Sequence, residues 1–117
     1  MNFRVEFYAT VSGKVPVEAF LEELAGTDSL AHQHVLRRIV RLQDSGNHGE
    51  PLTKEVGDGL FELRYLGRLN TRILWFYRAG RRIILLRGIR NKGQKIDPAD
   101  LDIARNRMGD WIRRHGQ

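Results

Sequence analysis

The chain begins by alternating. Phe3, Val5, Phe7 and Ala9 are apolar, and Arg4, Glu6, Tyr8 and Thr10 stand between them. A period of two sends the two sets to opposite sides of an extended backbone, so residues 2–10 read as a strand. Ser12, Gly13 and Lys14 break the pattern. Pro16 suits a first helical turn, where its missing amide hydrogen is no loss. Val17, Phe20, Leu21 and Leu24 then give the apolar face of a short helix, which Gly26 ends. A second helix is predicted over 29–44, capped by Asp28 or Ser29. Its buried stripe is Val35, Leu36, Ile39, Val40 and Leu42, with Arg37, Arg38 and Arg41 mostly off that stripe. Residues 45–51 are a loop by composition. Three strands follow over 60–66, 71–78 and 82–89. Their short connections, Ala79-Gly80-Arg81 among them, favour antiparallel hairpins, because a parallel crossover needs a dozen or more residues. Asp97 and Pro98 open a last helix whose face is Leu101, Ala104, Met108 and Trp111 and whose end is Gly116. The order is β-α-α-β-β-β-α, an α+β arrangement in which helices pack a mostly antiparallel sheet.

With 117 residues, the expectation is one domain spanning 1–117. The absence of cysteine excludes disulfides, thiolate zinc sites and a cysteine nucleophile, and it fits a reducing cytoplasm. No apolar run reaches the roughly 18 residues of a membrane span, and the first residues lack a signal-peptide layout.

Charge changes the picture most. The net charge is +6, and residues 64–96 hold ten basic residues and no acidic one. The remainder carries 10 basic residues against 14 acidic, a net −4. One segment supplies the whole positive excess, which points to a polyanionic partner. A basic membrane-surface helix is disfavoured, because the block falls on predicted strands and a loop.

The candidate chemistry is cationic. Glu62 is the single carboxylate of the predicted three-strand segment, so paired-carboxylate catalysis is disfavoured there. None of His32, His34, His48 and His115 has a trustworthy metal-ligand spacing. Alternation puts Glu62 and Arg64 on one face of their strand and Phe61, Leu63 and Tyr65 on the other. If the Phe61 face packs on helices, Arg64 stands on the open side of the sheet. Arginines there stabilise charge on a phosphoryl group in its transition state. An RNA 2′-hydroxyl supplies its own nucleophile, so such a site needs no metal. Phosphate binding without catalysis accounts for the same residues equally well.

Gly59-Leu60-Phe61-Glu62-Leu63-Arg64 resembles the glycine-leucine-aromatic-glutamate-leucine-arginine strand of the RelE/HigB toxins, especially the phage-related HigB-like branch of type II toxin–antitoxin systems. Lys54, the arginine-plus-aromatic strand from Thr71, the apolar strand containing Gly88, the basic loop from Arg90 and the closing helix follow in the same order. The resemblance implies a toxin that enters the ribosome and cuts mRNA, with a HigA-like antitoxin as partner and no cofactor. It implies Arg64 and Arg72 on the scissile phosphate and Lys92 in proton transfer or charge neutralisation. Lys54, Arg87, Arg90 and Lys95 would bind RNA. Asn91 stands where the family often has the first of two lysines, which leaves the choice between Lys92 and Lys95 open. Two other readings fit the same fold or charge: a ParE-like inhibitor of DNA gyrase, and a non-catalytic RNA- or protein-binding module.

Overall fold

In the computed structural model, which describes residues 2–44, 48–50 and 52–116, two α-helical layers sandwich one sheet. The elements are β1 (Arg4–Phe7), α1 (Pro16–Thr27), α2 (Ser29–Arg41), β2 (Thr53–Gly57), β3 (Leu60–Leu66), β4 (Asn70–Arg78), β5 (Arg82–Asn91) and α3 (Pro98–His115). The sheet runs β1-β5-β4-β3-β2. β1 lies parallel to β5 and the remaining pairs are antiparallel. The α+β expectation holds, with one more strand than the sequence pattern gave. Of the predicted 45–51 loop, residues 45–47 and 51 fall outside the described residues.

Each face of the sheet has its own core. On one side Leu63, Ile73, Trp75, Ile83 and Leu85 meet Val17, Leu21, Leu24, Ala31, Val35 and Ile39 of α1 and α2. On the other, Leu60, Leu74, Phe76, Ile84, Leu86 and Ile89 meet Ala104 and Trp111 of α3. α3 packs mainly on β4 and β5 and leaves part of the same face of β2 and β3, at Lys54 and Arg64, open to solvent.

Local signals explain several boundaries. The Asp28 carboxylate accepts the Ala31 amide and so caps α2, while Gly26 lies inside α1, which runs on to Thr27. Asp97 caps α3 through the Ala99 amide. In β5 a bulge opposite Leu74 and Trp75 shifts the alternation by one residue. Leu86 and Arg87 therefore both face α3, and Gly88 faces α1. A Cβ at Gly88 would collide with the Phe20 ring, so helix α1 comes close only because this residue has no side chain.

The stripe expected for α2 needs correction. Ala31, Val35, Ile39 and Leu42 are buried, whereas Leu36 and Val40 are exposed and the helix ends at Arg41. Burial follows the four-residue ladder 31-35-39, and positions 36 and 40 lie one step round the helix from it.

Candidate functional site

Strand register builds the candidate site row by row. Lys54 of β2 pairs with Glu62 of β3, Glu62 with Leu74 of β4, and Leu74 with Arg87 of β5. In the next row Arg64 lies directly opposite Arg72, which lies opposite Ile89. All these side chains point to the α3 side of the sheet. Two like charges directly opposite one another repel, and Glu62 answers that repulsion. Its Oε1 is 3.5 Å from Arg64 Nη1 and its Oε2 is 3.4 Å from Arg72 Nε.

Burial separates the two arginines. Glu62 is 3% exposed and Arg72 is 2% exposed. Arg72 Nη1 donates to Asn91 Oδ1 at 3.1 Å, and Nη2 donates to the carbonyls of Gln94 at 2.8 Å and Gly93 at 3.4 Å. Asn70 Nδ2 donates to the Gly93 carbonyl as well, at 2.9 Å. Arg72 thus grips the main chain of the loop that follows β5. The Arg64 side chain is 22% exposed, and its outer Nη2 lies 3.3 Å from the exposed Glu50 carboxylate.

Beside this row opens a cleft of about 380 Å³, lined by Lys54, Glu55, Val56, Glu62, Arg64, Gln94, Lys95, Ile96 and Leu101. Its floor is the uncovered part of β2 and β3, and its far wall is the loop and the start of α3. Lys54 and Lys95 are exposed and make no ion pair or hydrogen bond among the described residues.

The seven residues singled out in the sequence therefore separate. Lys54, Arg64 and Lys95 share the cleft, and Arg72 lies beneath the loop that forms its wall. Lys92 is exposed on that loop but does not line the cleft. Arg87 is paired to Asp100 at 2.8 Å, at the first turn of α3. Arg90, beyond the bulge, faces the opposite side of the sheet and pairs with Asp28. The Asp28 carboxyl is held below its ordinary range first by the Ala31 amide and then by Arg90.

The sequence pattern did not mark β2, the Glu50 carboxylate or the Gln94 carbonyl. A signal for β2 was present: Thr53 and Val56 precede Gly57-Asp58-Gly59, a turn between extended segments. Asp58 takes φ 57° there, between two glycines that also have positive φ.

Chemically, the cleft sets the Arg64 guanidinium, held by Glu62 and Glu50, and the ammonium groups of Lys54 and Lys95 beside the carboxylates of Glu55 and Glu62. Among the described residues no group of three His, Asp or Glu side chains could hold a metal ion. No helix among them is long and apolar enough to cross a membrane. Residues 22–109 match the family model described as Phage derived protein Gp49-like (DUF891). No curated protein matches the chain.

Proposed function

Because the chain belongs to the Gp49-like phage-derived family, a RelE-like toxin family of toxin–antitoxin systems, we propose that it is the toxin of such a pair and cuts mRNA on the ribosome. The observation that carries this reading is the convergence of Lys54, Arg64 and Lys95 on one open cleft, while three arginines of the sheet outside it are held by carboxylates. Arg82 is paired to Glu6, Arg87 to Asp100 and Arg90 to Asp28. The cleft thus brings three cations from β2, β3 and the loop after β5 together where a phosphodiester fits.

In this reading the scissile phosphate takes the outer edge of Arg64 and displaces Glu50. The RNA 2′-hydroxyl attacks the adjacent phosphorus and gives up its proton, the bond to the 5′-oxygen breaks, that oxygen takes up a proton and leaves as a 5′-hydroxyl, and a 2′,3′-cyclic phosphate remains. Arg64 stabilises the charge that builds on the non-bridging oxygens. Lys54 and Lys95 hold neighbouring phosphates and fix register, as cations on a nucleic-acid backbone do. Lys95 lines the cleft and Lys92 does not, which favours Lys95 as the lysine nearest the reacting atoms. Arg72 acts through the loop it holds. Arg87 supports the same wall through Asp100, and Arg90 belongs to the far face.

The test is expression of the chain from a tightly repressed promoter, with mRNA 5′ ends mapped in cells beside an Arg64→Ala variant. New cuts in translated messages, lost in the folded variant, are expected. Growth arrest without new cuts would overturn the nuclease reading and direct attention to gyrase.

A further inference from the structure

The exposed face of α2 lies on the opposite side of the sheet from the cleft. Leu30 is 59% exposed, Leu36 39% and Val40 61%. Leu30, Gln33, Arg37 and Val40 follow one another at spacings of three and four, and Leu36 sits one turn before Val40, so they form one stripe. The inner stripe is already satisfied by the sheet, and Tyr65 takes up His34, stacked at 4.7 Å, and Arg38 at 5.1 Å. α2 contains no acidic residue. Arg37, in the middle of the outer stripe, is exposed and has no partner among the described residues.

We infer that the outer face of α2 is a docking surface for an acidic amphipathic helix of a partner protein. Aliphatic side chains spaced at three and four are the pattern by which one helix seats another. Arg37 sets the sign of the flanking charge: the partner carries carboxylates beside its own apolar stripe. A second copy docking through its own α2 would set Arg37 against a helix with no acidic residue. RNA would gain nothing from three aliphatic side chains. A membrane surface would engage only this outer stripe, because the sheet holds the rest of the helix. This proposal is independent of the nuclease reading. A helix seated here leaves Lys54, Arg64 and Lys95 uncovered.

The probe is a synthetic helix of about 20 residues, roughly 30 Å long, with leucine at every third or fourth position and glutamate between. It is titrated against the full chain by fluorescence anisotropy, in an Arg64→Ala background that leaves α2 unchanged and permits production. Saturable binding is expected, weakened about tenfold or more by Leu36→Ser with Val40→Ser. Arg37→Glu should weaken the glutamate helix and improve binding of the same helix with lysine in place of glutamate. No saturable binding would overturn the proposal, as would equal binding by the serine variant or no preference between the two peptides. Self-association of the wild-type chain that the serine variant abolishes would assign the face to a second copy instead. Binding of anionic vesicles, lost in that variant, would assign it to a membrane.

Discussion

Arg72 should matter to the fold far more than Arg64 does. In Arg72→Met, a buried guanidinium is lost, and the Glu62 carboxylate keeps only Arg64, at 3.5 Å. Removing one member of a buried ion pair costs about 3–5 kcal/mol. Here the lower end applies, because one partner survives and the Gly93 and Gln94 carbonyls, on an exposed loop, can turn to water. For a chain of this size each kcal/mol moves Tm by about 4 °C, so a loss of about 3 kcal/mol lowers the midpoint by roughly 12 °C. Arg64→Ala removes a partly exposed side chain, its surface pair with Glu50 and the longer of the two contacts on Glu62, which keeps the buried Arg72 at 3.4 Å, so it costs only about 1 kcal/mol. Thermal unfolding followed by circular dichroism, with RNA cleavage measured on the same samples, separates the two. Arg72→Met should melt early, and adding Glu62→Gln should recover part of the loss, because a neutral pair leaves no buried charge unanswered. Arg64→Ala should melt near the wild type and cut nothing. An Arg72→Met protein melting within a degree or two of the wild type would refute the account of the buried pair.

Further expectations follow from the same geometry. Lys54→Ala and Lys95→Ala should each weaken binding of an uncleavable 2′-deoxy oligonucleotide whatever its sequence, and each should reduce the slope of log affinity against log salt by about 1. An unchanged slope would remove that lysine from the phosphate contacts. Hydrogen bonds from Arg114 and Tyr8 hold the Asp110 carboxyl at about 2, below its ordinary 3.8. A depressed carboxyl stabilises the fold above its unfolded value, and this contribution fades as pH falls from about 4 towards about 2. Urea titrations across that window should show a shallower acid loss in Asp110→Asn, and equal acid slopes would contradict the assignment. Gly88→Ala should cost about 1–3 kcal/mol through overpacking against Phe20. Adding Phe20→Ala should cost less than the sum of the single changes, and strict additivity in denaturant melts would show that the contact is not shared.

Much of this molecule was legible in its pattern, and the failures have physical causes. α3 announced itself because its caps and its buried face are local, carried by Asp97, Pro98, Ala104 and Trp111. Alternation along one strand separated Arg64 from the Phe61 face, but the side expected to be open carries α3. The bulge in β5 ended such reasoning, since one additional residue reverses every later side chain, and Arg90 moved to the far face with it. The basic block misled in a different way. Its counter-charges, Glu6, Asp28 and Asp100, lie outside the block in sequence and meet it only after folding, so a count of arginines overstated the free charge. On α2, apolar character did not distinguish Val35 and Ile39, which face the sheet, from Leu36 and Val40, which face solvent. β2 was missed because Lys54 and Glu55 interrupt any apolar run. That strand is recognisable by its pairing with β3.

The grip of Arg72 and Asn70 on the loop after β5 has a consequence for how this surface can change over time. Both side chains hold carbonyl oxygens, at Gly93 and Gln94. Every residue type supplies a carbonyl, so the path of the loop is specified from outside and its own side chains are released from that duty. Positions 92, 94 and 95 can exchange one residue for another while the backbone keeps its course. New preferences can therefore be tried at the rim of the cleft without rebuilding the wall that carries them.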